Sequence, residues 1–282
     1  MAKPTIITVD STADLSPELR ERYGIRVIPL TITLGERTFP DDGAFTSHDL
    51  FENYRKDGQL PHTAAPGVQE FIDFFTEILK EGAEIVHLDI SAQLSNTYNV
   101  ARMAAQSLEG VYTVDSMMLS TGVALLAIEA AECRDKGMGA AEIAAHLNDL
   151  RHKVSTSFVL DTLEFMWKGG RCSGVTLLGA NLLKLKPALR MNNGKLEVYK
   201  KYRGRIENVY RQYFTDELKD RKVRPAHVFI TESGEVDPAV ILELTDLVKQ
   251  LCGAREVHHT VAGCTVASHC GPKTLGVLFI EE

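Results

Sequence analysis

The chain has 282 residues, with 31 Lys and Arg against 38 Asp and Glu, so its formal net charge is −7. At roughly 100–200 residues per domain, this length predicts two domains that bury a substantial core without disulfides or metals. The negative charge and the lack of a Lys/Arg-rich block argue against nucleic acid as a partner, because nucleic-acid binding depends on neutralising phosphates.

Membrane insertion and export are both disfavoured. The stretch without charged residues near the middle of the chain, Ser116 to Ile128, is shorter than the roughly 20 apolar residues that span a bilayer. Met1-Ala2-Lys3-Pro4 leads into a strand-like run without an apolar signal core. We therefore expect a cytoplasmic protein.

The cysteines are odd in number and scattered in spacing. They are Cys133, Cys172, Cys252, Cys264 and Cys270. None forms a C-x-x-C pair of the kind that indicates zinc binding or redox chemistry. We expect free thiols that serve mostly in packing.

The first half of the chain alternates strand-like runs with helix-like segments. The predicted strands are Thr5 to Val9, Ile25 to Leu34, Glu84 to Ile90 and Val111 to Val114. The predicted helices begin after Ser16, at Thr46, after Gly67 and at Asn96, and an Ala-rich helical pair covers 118–151. This alternation predicts a parallel sheet covered by helices on both faces.

The alternation of strand-like and helix-like segments changes after Ser155. Phe158 to Leu160 is strand-like, and Leu185 to Tyr202 contains Asn192-Asn193-Gly194, which is typical of a turn between antiparallel strands. Helices near 205–220 and 238–251 are separated by a strand from Ala226 to Thr231. The sequence therefore predicts two domains, 1–155 with a mainly parallel α/β sheet and 156–282 with a mixed α+β arrangement.

Polar side chains follow three predicted strands. They are Asp10 and Ser11, then Ser91 and Ser95 to Thr97, then Asp115 and Ser116. Ligands of open parallel sheets bind beyond the carboxyl ends of the strands, although such residues also serve as ordinary helix caps. The Ser95 stretch opens a helix, and the free N–H groups there favour an anion such as a carboxylate or a phosphate.

Two other segments carry candidate groups. Leu60 to Gly67 is predicted as a loop, with polar side chains only at His62 and Thr63. His269 lies in the Gly-rich entry to a final strand, Thr274 to Phe279, beside a possible pocket. A lone His is more often structural than functional, yet its near-neutral pKa suits it to polarise a hydroxyl.

A group of cations lies in and beyond the predicted turn at 168–171. Its members are Lys168, Arg171, Arg203 and Arg205. They are either ordinary surface charge or a docking face for an anionic partner.

The chain lacks a G-x-G-x-x-G after its first strand, a Walker A motif and a G-x-S-x-G elbow, which disfavours nucleotide-binding and hydrolytic functions.

Taken together, these segments resemble the DegV family over nearly the whole chain and in the same order. The segments that carry the resemblance are Asp10 to Leu15, Thr63 with Pro66, Ser91 to Tyr98, Val114 to Ser116, Leu163 to Arg171 and His269 to Gly276. The resemblance implies a bacterial two-domain protein that holds a long-chain fatty acid between its domains. The family includes the fatty-acid-binding subunits of bacterial fatty acid kinase.

The resemblance also implies roles for particular residues. Thr63 and Ser95 are expected to hydrogen-bond the fatty acid carboxylate, with His269 near the same polar end. The family commonly has Gly at the position of Asn96, so Asn96 is expected to narrow the carboxylate site or to add a donor. Ala64 and Ala65 replace polar residues of the family's usual loop, and Cys270 and Lys273 replace its usual Thr and Gly.

In the family, a separate kinase subunit phosphorylates the bound carboxylate with ATP, and the acyl phosphate enters phospholipid synthesis. Arg171, Lys168, Arg203 and Arg205 match the region expected to face that kinase. The resemblance thus implies a non-catalytic lipid-binding subunit with no cofactor, no metal and no ligand other than the fatty acid.

Two alternatives remain open at this point. One is a phosphotransfer enzyme acting on a small polyol or keto substrate, with His269 as a covalent carrier. The other is a relative that binds a different apolar acid and serves regulation.

Overall fold

The computed structural model describes residues 3–170 and 185–282, and Arg171 and Cys172 therefore lie outside the described residues. The strands in chain order are β1 Thr5–Asp10, β2 Arg26–Ile28, β3 Thr31–Leu34, β4 Arg37–Pro40, β5 His62–Ala64, β6 Glu84–Asp89, β7 Val111–Asp115, β8 Val154–Val159, β9 Leu185–Asn192, β10 Lys195–Arg203, β11 Val223–Glu232, β12 Glu256–Val261 and β13 Leu275–Glu281.

Ten α-helices accompany these strands in the described part of the chain. They are α1 Pro17–Tyr23, α2 Ser47–Asp57, α3 Val68–Leu79, α4 Thr97–Ala105, α5 Thr121–Asp135, α6 Ala140–Leu150, α7 Glu164–Lys168, α8 Ile206–Leu218, α9 Pro238–Cys252 and α10 Cys264–Cys270. Ser16 caps α1 by accepting a hydrogen bond from the Leu19 N–H, and Thr46 with Asp49 forms a capping box at α2.

Two large sheets organise the fold. The parallel sheet has the strand order β2-β1-β6-β7. The mixed sheet has the order β10-β9-β8-β13-β11-β12, in which β11 and β12 run parallel and the other neighbours run antiparallel. The parallel sheet and the mixed α+β part that the sequence predicts are thus confirmed. The predicted boundary after residue 155 falls inside β8, the first strand of the mixed sheet, and the division into domains stays a prediction.

Two sequence predictions are wrong in detail, and one helix was not predicted. The single strand predicted from Ile25 to Leu34 is interrupted at Pro29, which cannot donate to a ladder, and its halves β2 and β3 join different sheets. The predicted loop from Leu60 to Gly67 contains β5, which pairs with β3 in a small antiparallel sheet of order β4-β3-β5. The Gly-rich entry to the final strand is preceded by helix α10, which the sequence did not predict and which carries His269.

Helix α5 lies between the two large sheets. It contacts β1 and β6 of the parallel sheet and β8, β11 and β13 of the mixed sheet. Eleven of its fifteen residues are buried, including every residue from Thr121 to Ile128. The core around it joins Val9 and Leu88 of the parallel sheet to Phe158 and Leu278 of the mixed sheet.

The β9–β10 hairpin turns at Asn193 and Gly194, as the sequence predicts. Both residues have positive φ, 47° and 79°, as a two-residue type I′ turn requires. The Gly194 carbonyl accepts a 2.7 Å hydrogen bond from the Ser91 hydroxyl, which follows β6. The hairpin is thereby tied to the loop that ends the parallel sheet.

No helix among the described residues is long and apolar enough to span a membrane.

We predict that Gly122→Ala destabilises the protein, although Ala is normally the better helix residue by about 1 kcal/mol. A Cβ at position 122 in α5 would overlap Thr156 Oγ1 of β8, so the expected net loss is about 1–3 kcal/mol in the free energy of unfolding. Denaturant unfolding measures it. Adding Thr156→Ala, which removes a buried hydroxyl without a hydrogen-bond partner among the described residues, should restore most of the loss. A Gly122→Ala protein more stable than wild type would contradict this packing.

Candidate ligand-binding cavity

A cavity of about 660 Å³, counted with its open mouth, lies between the ends of the parallel sheet and the mixed sheet. Apolar side chains from both parts of the chain make most of its wall: Leu30, Ile90, Leu94, Leu119, Phe158, Met166, Leu196 and Val266. Such a wall suits a long apolar ligand.

The polar groups of this cavity converge from three elements. Thr63 comes from β5, Ser95 precedes α4, and His269 lies on α10. Thr63 Oγ1 lies 3.3 Å from His269 Nε2, so the hydroxyl and the imidazole share a hydrogen bond. The sequence-predicted trio therefore lines one cavity.

The sheet β4-β3-β5 positions Thr63. Thr63 pairs with Ile32 of β3, whose side chain is fully buried. Because side chains alternate along a strand, this register directs Thr63 away from its neighbours His62 and Ala64. Ala64 and Ala65 also line the cavity.

Two buried carboxylates hold the N-terminal end of α10. Asp14 accepts a 2.8 Å hydrogen bond from the Gly263 N–H. Asp41 accepts 3.0 Å hydrogen bonds from the N–H groups of Cys264 and Thr265. These bonds satisfy donors that a helix start leaves open, and they fix the helix that carries His269.

Gly169 supports the other side of His269. A Cβ at position 169 would overlap the imidazole at Nδ1, so the absence of a side chain allows this close approach. The Gly-Gly turn after α7 thereby contributes to the position of the imidazole.

Ser95 is held by the start of α4. Its Oγ lies 2.7 Å from Thr97 Oγ1 and accepts a hydrogen bond from the Thr97 N–H. A Ser hydroxyl offers two acceptor lone pairs and one donor. If the Thr97 hydroxyl donates to Ser95 as well, the Ser95 proton is left to donate to a ligand.

Asp10, at the end of β1, ties together two segments that line the cavity. It accepts hydrogen bonds from the Thr12 N–H and hydroxyl and from the Ile90 N–H. Burial, with the nearby charge of Asp89, raises the pKa of Asp10 to about 7.

A second space of about 330 Å³ lies beside the cavity, and the two spaces share Leu119, Phe158, Val266 and Cys270 in their linings. Four residues that the sequence left undecided between core and pocket, Leu160, Phe165, Leu189 and Phe279, are buried in the hydrophobic core and are not part of either lining.

Asn96 does not line the cavity. It is exposed, and its side-chain oxygen accepts a 3.1 Å hydrogen bond from Asn99. It borders a surface groove beside Thr63 and Ser95. Its expected role at the carboxylate stays a prediction.

The predicted docking cations differ in their surroundings: one is paired with a carboxylate and two are exposed to solvent. Lys168 forms a 2.9 Å ion pair with Glu164 and also contacts the Tyr54 hydroxyl. Arg203 and Arg205 are exposed at the end of β10 and the start of α8. Arg171 lies outside the described residues, so a common docking face remains a prediction.

Sequence reasoning missed several lining residues. Thr265 lies four positions before His269, which places both on one face of α10. That spacing would have indicated Thr265 if the helix had been predicted. Leu30, Met166 and Leu196 offer no comparable signal, because apolar residues in core and cavity look alike in a sequence.

The four cysteines in the described residues are free thiols, as expected. Cys264 and Cys270 are buried on α10. Burial raises the pKa of the Cys264 thiol and raises that of Cys270 to about 12, which makes both unreactive packing groups.

Fold and site together define an α/β protein with two large sheets and an apolar cavity that ends at hydroxyl and imidazole groups. The sequence profile of the DegV family matches residues 4–282, and the chain belongs to the DegV family. A DegV domain-containing protein of Staphylococcus aureus (strain COL) is 30% identical over 100% of both chains. A DegV domain-containing protein of Deinococcus radiodurans is 30% identical over 96% of each.

Solved structures of DegV proteins share the fold. A structure from Thermus thermophilus, described by its fatty acid binding, is 31% identical, with a TM-score of 0.88 over 99% of this chain and 100% of that one. A DegV lipid-binding protein from Thermotoga maritima is 26% identical, with a TM-score of 0.85 over 100% of this chain and 99% of that one.

We predict that the Asp10 carboxyl titrates near pH 7, measured by the NMR shift of its side-chain carbon. Its pKa in the unfolded chain is about 3.9. Between about pH 4 and pH 7 the folded state therefore keeps a proton that the unfolded state has released, and this group's contribution to stability falls as pH rises through that window. The stability of Asp10→Asn relative to wild type should rise over the same window. A titration midpoint near 4 would contradict the burial of this carboxylate.

Proposed function

We propose that the protein binds a long-chain fatty acid in the cavity and presents its carboxylate to a separate, ATP-dependent kinase subunit. The apolar cavity that ends at Thr63, Ser95 and His269 is the observation that carries the proposal. Fatty acid binding by the Thermus thermophilus relative supports it. In this proposal the chain is cytoplasmic and non-catalytic, needs no cofactor, and delivers an acyl phosphate to phospholipid synthesis through its partner.

The apolar tail supplies most of the binding free energy. Roughly 15 methylenes at about 0.8 kcal/mol each give about 12 kcal/mol, before the costs of association and of ordering the chain. The apolar side chains that line the cavity offer that contact. The polar end therefore needs to contribute little to the binding free energy, and its main role is to orient the carboxylate.

Neutral donors suit a carboxylate that must later react. Hydroxyl groups at Thr63 and Ser95 hold an oxygen less strongly than a bidentate Arg would. The carboxylate thus keeps electron density with which to attack a phosphoryl group. His269, which shares a hydrogen bond with Thr63, fixes the direction of that hydroxyl.

A polar groove outside the cavity offers a path to the carboxylate. Thr63 and His269 line both the cavity and this groove, and Lys168 and Gly169 border the groove. Trp167, beside Lys168, has 73% of its surface exposed. An exposed Trp next to a cation at the rim supports kinase docking at this mouth.

The first test is mass spectrometry of the purified protein, native and then denatured with organic extraction. We expect one long-chain fatty acid per chain, released on denaturation. An empty wild-type protein that takes up no added fatty acid would overturn the proposal and favour a different apolar acid or a phosphotransfer role.

We predict that Ser95→Ala lowers kinase-dependent phosphorylation of the bound acid by more than it lowers fatty acid retention. The hydroxyl orients the reacting carboxylate, whereas the tail provides the affinity. Acyl phosphate formation with a fatty acid kinase catalytic subunit and radiolabelled ATP is compared with retention of labelled fatty acid.

Ser107→Ala is the matched control, because Ser107 is exposed beyond the far end of α4. It should leave both quantities unchanged. Equal losses in both assays for Ser95→Ala would contradict the division of roles. Phosphate uptake by this chain alone from ATP would point instead to His269 as a covalent carrier.

A further inference from the structure

A cluster of two histidines and a glutamate lies away from the cavity, where the β11–β12 edge of the mixed sheet meets α1 and α5. His227 is on β11, and Glu256 and His258 are on the neighbouring strand β12, where Glu256 pairs directly with His227. The two imidazole rings stack with their centroids 5.2 Å apart. The histidine side chains are largely buried, with 11% and 12% of their surface exposed.

The ligand atoms of this cluster point toward one another. His227 Nδ1 lies 3.0 Å from His258 Nε2, and His258 Nε2 lies 3.8 Å from Glu256 Oε2. All three ligand atoms lie within 4.8 Å of one another. Two ring nitrogens at this separation repel unless a proton or a cation lies between them. Zn–N bonds of about 2.0–2.1 Å require only a slight widening of this separation.

A carboxylate on α5 orients the first histidine. His227 Nε2 lies 3.1 Å from Glu132 Oε1 and donates to it. This bond places the ring proton on Nε2 and leaves the lone pair of Nδ1 directed at the cluster. Metal-binding histidines commonly have such a carboxylate on their second nitrogen.

We propose that His227 Nδ1, His258 Nε2 and Glu256 form a zinc site, with Glu132 positioning His227. The donor set of two imidazoles and one carboxylate, with water as a fourth ligand, suits Zn²⁺. The bound ion links β11 and β12 to α5 through the His227–Glu132 hydrogen bond. Its effect is to stabilise this junction between the mixed sheet and α5.

Arg22 of α1 competes with the ion for Glu256. Its guanidinium forms hydrogen bonds of 2.5 Å and 2.8 Å with the two carboxylate oxygens. Arg22 is about half exposed and can withdraw into solvent. Removing its positive charge should therefore tighten zinc binding.

A second group on α5 with α6, formed by Glu129, Cys133 and His146, is a weaker candidate. Glu129 already pairs with His146 at 3.0 Å and with Arg224 at 3.5 Å. Burial also raises the pKa of the Cys133 thiol, which opposes the thiolate form that binds metal. This group serves as the comparison in the test.

The test is a titration of metal-free protein with Zn²⁺ against a chromophoric chelator, followed by thermal unfolding with and without the ion. Wild type should bind one equivalent and unfold at a higher temperature with zinc. His227→Gln and His258→Gln should lose this binding and this shift, and Glu132→Gln should weaken binding about 10–100-fold. Arg22→Gln should bind zinc more tightly than wild type.

The matched control is His259→Gln, because His259 is the next residue of β12 and bonds Glu232 instead. It should bind zinc as wild type does. Circular dichroism and bound fatty acid report that each variant is folded. With Co²⁺ the spectrum should lack a thiolate charge-transfer band. Such a band, loss of binding in Cys133→Ser, or unchanged binding in a folded His258→Gln protein would overturn the proposal.

Discussion

The buried carboxylates of Asp14 and Asp41 hold helix α10, and the polar end of the cavity depends on that contact. Both side chains are 6% exposed, yet they accept three backbone N–H bonds from Gly263, Cys264 and Thr265. Burial raises the pKa of Asp14 well above its usual value, so this carboxylate is held against a desolvation penalty. The N–H donors of a helix start offset that penalty.

This contact joins distant parts of the chain. Asp41 caps a helix that begins 223 residues later, and Asp14 lies in the loop after β1. The same helix then presents His269 to Thr63, which arrives from the small sheet β4-β3-β5. The cavity is therefore assembled from elements that lie far apart in the sequence.

Much of this arrangement could be predicted from the sequence, and the missing parts share one physical cause. The parallel sheet, the caps of α1 and α2, and the Asn193-Gly194 turn depend on neighbouring residues, so local patterns report them. Short elements depend on partners that are distant in the sequence, so local patterns do not report them. β5 exists because β3 provides hydrogen-bond partners, and α10 exists because Asp14 and Asp41 cap it from afar.

The candidate site also contains residues that the sequence indicates and residues that it does not. Thr63, Ser95 and His269 are polar residues in distinctive segments, and the structure brings them to one cavity. Asn96 belongs to the same segment as Ser95 but faces outward, because the start of α4 turns its side chain toward Asn99. The apolar residues that line the cavity could not be predicted from the sequence, because a Leu that contacts a ligand and a Leu in the core follow the same hydrophobic pattern.

The position of α5 between two sheets has a consequence for folding. A helix whose residues from Thr121 to Ile128 are all buried gains its full burial only when both sheets are present. Losing either sheet exposes one face of α5 to water, so partial unfolding is penalised in both parts of the chain at once. The burial of α5 therefore couples the unfolding of the two sheets.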